Sequence, residues 1–354
     1  MKKVACIKFA GMGNGGTEKY LQTIAIICKQ AGHEVDFYYT NAAPILRSAR
    51  QHPDNNEDRI KIVKSHGINL IPIFVESRLY NHWNGSDFFE KFDESKYDVL
   101  ITAGNGESEY PYNELKNIPI IHTVHGEHPF NQDNIKKSVI LCEWQASKWL
   151  GNGGDKSKLE IIPSIVWVPE SYPSDFRKRH NIPSGAFVYG FHQRPDESIA
   201  LTLGLEAFSR IQSDNDYFAI LGGSKKHRDA ASLNGIKNVI FENATADPEA
   251  IHSFLDGLNV YAHSRADGEV CSACLVEALS HGLPIISHPA QNIGHYDQID
   301  GCGKIANSVE EYAKEMVNLK NIDYYNRLSN SAKSKYNTKY SYEVVKSQIL
   351  NLIK

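Results

Sequence analysis

Long apolar runs are missing from this chain. None approaches the ~18 consecutive apolar residues that a membrane-spanning helix needs, so any membrane contact is expected to be peripheral. A basic excess is missing as well: 38 Lys and Arg stand against 42 Asp and Glu, which argues against nucleic acid as a partner. Local pairs such as Lys136-Lys137 and Lys225-Lys226 read first as solvated faces. Cysteine is sparse. The six residues Cys6, Cys28, Cys142, Cys271, Cys274 and Cys302 lie in or beside apolar runs with no secretory leader pattern before them, so a reducing, cytoplasmic setting is the expectation. Cys271 and Cys274 form an isolated C-x-x-C. With no second cysteine pair and no zinc-type histidine spacing, metal or redox chemistry is not expected there. Gly and Pro number 25 and 14 in 354 residues, about the average share, which excludes collagen-like and disordered classes.

What is present is an alternation of short β-branched runs with longer segments of helical period, the pattern of parallel sheets covered by crossover helices. The length suits two domains. In the first half, strands are expected at 4–9, 34–40, 70–74, 99–102, 120–124, 139–142 and 160–163, with a helix over 17–31. Four prolines between 163 and 183 mark a connecting segment. A second series follows, with strands at 187–191, 217–221, 239–241, 260–262 and 284–287 and helices near 199–211, 248–255 and 273–281. The expected division is a domain over 1–165, a second over 170–337, and a closing segment over 338–354 whose apolar-periodic helix packs back toward the first domain. In doubly wound sheets ligands sit at the carboxyl ends of the strands, so the candidate residues are sought there.

The first strand runs into GMGNGGTE (residues 11–18), a glycine-rich turn that opens a helix and offers backbone N–H groups to an anion. Gly11, Gly13 and Gly16 satisfy G-x-G-x-x-G. A dinucleotide site also wants an acid at the end of the second strand, whereas Asp36 falls inside it, followed by Phe37, Tyr38 and Tyr39. A turn that serves only close packing stays open at this point.

The densest signal is SRADGEVCSACLVEALSHGLPIIS (residues 264–287), where Glu269 and Glu277 are separated by a loop-to-helix junction. A helix capped near Ser272 leaves Glu269 in the preceding loop and puts Glu277 about one turn in, at ~3.6 residues per turn, so both carboxylates approach one helix N-terminus. Free amides there suit a diphosphate, and each carboxylate can accept hydrogen bonds from vicinal hydroxyls. That combination describes a nucleotide sugar. Asp267, two residues before Glu269, reads as a turn residue.

The segment resembles the E-x7-E signature of the retaining GT-B glycosyltransferases of family GT4, and Gly282-Leu283-Pro284 matches the G-x-P that follows it. The likeness runs along nearly the whole chain through GGTE (15–18), the His125 turn in IIHTVHGEH, the Arg194 turn in GFHQRPDES, ILGGS (220–224) and Tyr340-Ser341-Tyr342. It implies a GT-B fold, two doubly wound Rossmann-like domains facing across a cleft. It further implies a retaining, metal-independent transfer of a sugar from a nucleotide-sugar donor to a hydroxyl acceptor, with no cofactor and with a polysaccharide, glycan, lipid-linked sugar or small molecule as acceptor. By the same resemblance Glu277 holds the donor ribose and Glu269 the transferred sugar. The amides of Cys271, Ser272, Ala273 and Cys274 lie beside them, and Gly15 and Gly16 bring backbone to the diphosphate. His125 stands beside the reacting sugar, and Arg194 neutralises the leaving diphosphate.

Two positions depart from the family pattern. The lysine usual five residues after the arginine is Ile199, and the glycine usual three after the first glutamate is Ser272. Lys225 or Lys226 is the candidate for the missing charge, and Asn243 lies where the base would rest. A binding protein of the same architecture without turnover is the competing reading. Acceptor contacts are expected from loops around 41–57 and 76–95, with Tyr80, Trp83, Tyr110, Tyr112 and Trp144 as stacking candidates against a default of packing. His122 and His128 rank below His125.

Overall fold

The computed structural model describes residues 1–13, 15–40, 56–79 and 81–354. Most of the 41–57 acceptor loop and Tyr80 lie outside the described residues. Two compact units result: Met1–Pro163 with Val345–Lys354, and Ser164–Val344.

Among the described residues the first unit carries nine strands, β1 (Lys3–Lys8), β2 (Glu34–Thr40), β3 (Asn69–Ile73), β4 (Ser77–Leu79), β5 (His82–Asn84), β6 (Val99–Gly104), β7 (Ile120–Val124), β8 (Ile135–Ile140) and β9 (Leu159–Ile161). Seven of them form one sheet in the order β3-β2-β1-β6-β7-β8-β9, and every pairing is parallel. Parallel sheets are covered on both faces, which is why a run such as Ile120–Val124 is buried throughout. The strand order reverses between β1 and β6, and that switch point opens a crevice at the carboxyl ends of the two strands. β4 and β5 make a separate antiparallel hairpin that the sequence pattern did not mark. β8 starts at Ile135 where 139–142 was expected. Cys142 lies outside the strand because it caps the helix Glu143–Gly151, its sulfur accepting from the Gln145 N–H.

The second unit holds β10 (Phe187–His192), β11 (Asp216–Leu221), β12 (Val239–Glu242), β13 (Val260–Ala262), β14 (Gly268–Glu269), β15 (Ile285–Ser287), β16 (Asn292–Ile293) and β17 (Gly303–Ile305). Its main sheet is parallel in the order β12-β11-β10-β13-β15-β17, with the reversal between β10 and β13. Tyr189, Phe208, Phe218, Phe254 and Tyr312 fill the core around it. β17 and the short β14/β16 pair were not expected. The helix expected over 199–211 spans only Leu203–Ser209, because Ile199 closes a turn and the chain there is tied to the next loop: Ile199 N–H donates to Asp196 O at 3.3 Å, Ala200 bridges Arg265, and Ala266 N–H donates to Ile199 O at 3.0 Å. Residues of the proline-marked segment pack into this unit, with Phe176 buried in its core. The helix Tyr342–Ile353 buries Val345, Ile349 and Ile353, and Lys2 Nζ donates to Lys354 O at 2.7 Å.

Candidate functional site

In the second unit, the chain leaves β13 and turns sharply at Gly268, whose φ is +69° and where a Cβ would stand 2.1 Å from Asn292 O. Only glycine fits there. The turn presents Glu269, which accepts from Ser272 Oγ at 3.1 Å and pairs with Arg265 Nη1 at 3.3 Å. Burial raises the Glu269 carboxyl above its ordinary range, against the pull of Arg265 and the Ser272 hydroxyl. Ser272 is the N-cap of the helix Ala273–Ser280, and its Oγ accepts from Leu275 N–H. Gln298, fully buried, fixes the cap backbone from both sides, accepting from Ser272 N–H at 2.8 Å and donating to Ser272 O at 2.9 Å. The first-turn amides of Ala273 and Cys274 therefore start from a rigid base. Cys271 O accepts from Ser164 Oγ at 2.7 Å.

Glu277 lies one turn into that helix, and its Oε2 meets His192 Nε2 at 2.7 Å. His192 ends β10, is buried, and was missed by the sequence reading, since only the parallel pairing of β10 with β13 brings it beside the helix. Burial by itself would lower its pKa; the Cys274 side chain and the Glu277 carboxylate outweigh that and raise it. The Glu269, Ser272, Cys274 and Glu277 candidates are thus gathered on one loop-to-helix junction.

Arg194 follows β10 and is half exposed, in an ion pair with Asp196 at 3.1 Å. Gly222, at φ +83°, lets the end of β11 pass close to this loop, since a Cβ there would stand 1.9 Å from Gln193 O. Glu197 accepts from the Lys225 N–H at 2.7 Å and from the Lys226 N–H at 3.3 Å, so the start of the helix Lys225–Leu233 already faces a carboxylate. Lys225 Nζ pairs with Asp229 at 2.6 Å on an exposed face. Lys226 Nζ instead donates to Ala200 O at 2.8 Å, next to the buried Ile199. Of the two lysines, Lys226 is the one whose ammonium reaches the segment that contains Ile199. Asn243 is exposed just beyond β12.

In the first unit, the turn after β1 is held by Gln22, buried in the helix Gly16–Gln30, whose Nε2 donates to Gly11 O at 2.7 Å and Gly13 O at 3.0 Å. Arg59 Nε secures Gln22 Oε1 at 2.7 Å. Among the described residues, Gly15 is an N-cap with no side-chain capping bond, and a Cβ at Gly16 would meet nothing within 4 Å. Among the described residues no side chain caps this helix start. Glu18 in its first turn pairs with Lys8 at 3.2 Å. His125 follows β7 directly; its N–H donates to Gly104 O at 2.8 Å and its ring packs edge-on to Tyr20 at 5.1 Å. Its Nε2 has no partner among the described residues. Burial, with Lys8 and His122 nearby, holds its pKa down to about 3, so the ring is neutral at physiological pH.

Trp83 and Tyr112 are fully buried and both bond Glu109, at 2.7 and 3.1 Å, so they pack the core. Tyr110 stacks on His82 at 4.3 Å, and Lys148 lies 6.0 Å from the Trp144 ring. His122 is buried and His128 faces Glu107 at 3.8 Å.

Two family models match the chain: Glycosyltransferase Family 4 over residues 14–157 and Glycosyl transferases group 1 over residues 186–321. No curated protein matches it by sequence. Among solved structures, HepE from Anabaena, crystallised with UDP and glucose, is 14% identical, with 100% of this chain and 99% of that one covered at a TM-score of 0.70. Sucrose-phosphate synthase from Thermosynechococcus elongatus is 15% identical, with 100% and 98% covered at 0.71. WaaG, a glycosyltransferase involved in lipopolysaccharide biosynthesis, is 15% identical, with 98% of each chain covered at 0.67. At such identities the likeness speaks for the fold. Among the described residues no helix is long and apolar enough to cross a membrane.

Proposed function

The chain belongs to glycosyltransferase family 4 and has the GT-B fold, and from that premise we propose that it transfers a sugar, with retention of anomeric configuration, from a nucleotide-sugar donor to a hydroxyl acceptor without a metal. The observation that carries the reading is the junction where Glu269 and Glu277 flank a Ser272-capped helix start whose amides are open to an anion. Glu277 takes the ribose hydroxyls and Glu269 those of the transferred sugar. The Ala273 and Cys274 amides and the Arg194 guanidinium take the diphosphate. Catalysis is then mostly positioning and charge stabilisation. The acceptor oxygen bonds to the anomeric carbon on the face from which the sugar–phosphate bond breaks, and the acceptor proton passes to the departing phosphate oxygen. Neutral His125 offers the unpartnered Nε2 to a hydroxyl rather than a charge. Gly15 and Gly16 offer backbone N–H groups to phosphate. A donor such as a UDP-sugar is supported by the complex known for HepE, and a glycan or lipid-linked acceptor by the pathway of WaaG.

The deciding experiment is a thermal-shift screen against UDP-, GDP-, ADP- and dTDP-sugars, followed by transfer and donor-hydrolysis assays with the one that stabilises most. His125→Ala is expected to lower turnover about 100-fold while leaving donor affinity within about threefold. Wild-type turnover in that variant removes His125 from the mechanism. Ile199, buried where the family has a lysine, favours the second reading of a binding protein without turnover. Nucleotide-induced stabilisation with neither transfer nor hydrolysis would establish it.

A further inference from the structure

One cluster at this junction has a chemistry that sugar binding does not require. A ring nitrogen of His192, Sγ of Cys274 and a carboxylate oxygen of Glu277 all lie within 4.8 Å of one another, with Nε2 2.7 Å from Glu277 Oε2. Cys274 and Glu277 are three residues apart, on one face of the helix Ala273–Ser280, and His192 closes the group from the end of β10. The imidazole is oriented from behind: the Tyr261 hydroxyl stands 3.3 Å from His192 Nδ1 and 3.1 Å from His192 O, leaving Nε2 aimed at the other two ligands. A histidine whose second ring nitrogen is held by a buried partner is the usual arrangement of a metal ligand.

We infer that His192, Cys274 and Glu277 form a binding site for a divalent cation of the zinc class, with one coordination position left open, and that the bound cation excludes the donor nucleotide from Glu277. The ligand set is one nitrogen, one sulfur and one oxygen. Thiolate with imidazole selects zinc over magnesium or calcium, and three protein ligands with an open fourth position is the pattern of an exchangeable site. Bond lengths of about 2.0–2.3 Å put tetrahedral ligand atoms roughly 3.5 Å apart, so the His192–Glu277 pair has to open by under about 1 Å as the metal replaces their shared proton. The thiol proton and the imidazole–carboxylate proton leave to solvent, and no redox step is involved. The exclusion of donor rests on the proposed role of Glu277; the metal site itself does not.

The test uses the full-length chain freed of metal by chelator dialysis and titrated with Co2+. One equivalent is expected to produce an intense near-ultraviolet thiolate-to-cobalt band with tetrahedral visible bands, and Zn2+ is expected to bleach both. Cys274→Ser is expected to abolish the near-ultraviolet band, Cys271→Ser to keep it, and His192→Asn to weaken Co2+ binding at least ~10-fold. No thiolate band in the wild-type chain, or a band that follows Cys271 instead, overturns the site even if UDP stabilises the protein and the donor reading stands. Addition of UDP is expected to weaken Co2+ binding. Simultaneous binding without competition leaves the metal site in place and overturns both the exclusion and the ribose role of Glu277.

Discussion

The turn after β1 and the turn after β14 solve one task in opposite ways. Each leads from a strand to a helix start, where orphaned N–H groups favour an anion. The first turn does without side chains at Gly15 and Gly16: among the described residues Gly15 gives the helix no capping bond and Gly16 leaves open space, while Gln22 reaches back to two glycine carbonyls. The second turn adds them. Ser272 caps the helix, Gln298 clamps the cap backbone, and Glu269 and Glu277 bring carboxylates to either side of the amides. The contrast sets two ways of preparing a helix start side by side, one with glycine at the cap and one with carboxylates whose positions are held by neighbouring side chains.

The largest expected effect comes from removing an acceptor in the second turn. Glu277→Ala deletes the proposed ribose contact and leaves the buried His192 without its carboxylate, so kcat/KM for transfer is expected to fall at least ~100-fold, mostly through donor binding. Its counterpart in the first turn is Gly16→Ala. A methyl there meets no atom of the described residues within 4 Å, so the melting temperature is expected to stay within about 1 °C, while the donor KM is expected to rise roughly 10-fold as the methyl meets phosphate. Steady-state kinetics with the donor found by screening measures both. Wild-type kinetics for Gly16→Ala breaks the comparison by reducing the first turn to a packing device.

These two turns were unequally legible. The strands of both sheets stand out because parallel sheets bury both faces and impose apolar runs, and Ser272 with its flanking glutamates announces a helix start by local chemistry. Gln22, Gln298 and His192 carry no such mark. A glutamine in a helix and a histidine at a strand end look ordinary until strand pairing brings them to their partners, which are 9 to 85 residues distant in sequence. The same reason hid the edge strand β17 and the bridge of Ala200 to Arg265, where pairing rather than composition decides the conformation. Lys226 was distinguished from Lys225 only by the carbonyl it meets.

A second, smaller effect separates the strand-end histidines. His122 in β7 is fully buried with neither ring nitrogen bonded among the described residues, and burial, helped by Lys8, lowers its pKa to about 4. A histidine depressed in the folded state binds its proton first in the unfolded chain. Stability is then fully present above the unfolded value near 6.5 and is lost as pH falls from there toward about 4, by up to about 3 kcal/mol. Urea denaturation at pH 7 and pH 4.5 is expected to show His122→Phe losing less stability than wild type between the two conditions. Equal losses assign the acid sensitivity to other buried histidines.

The smallest expected effect tests how the second turn keeps its carboxylate in place. Ser272→Ala removes the helix cap and the hydroxyl that bonds Glu269, yet both Gln298 hydrogen bonds to the Ser272 backbone survive because they use main-chain atoms. The helix start is expected to stay in register, with about 1 kcal/mol of stability lost in urea denaturation. Glu269 keeps Arg265 at 3.3 Å, so it loses one of two tethers and kcat/KM is expected to fall only about threefold to tenfold. If Ser272→Ala instead matches Glu269→Ala in transfer, the hydroxyl is what orients the carboxylate. The serine that stands where the family has glycine would then be part of how this enzyme holds its donor sugar.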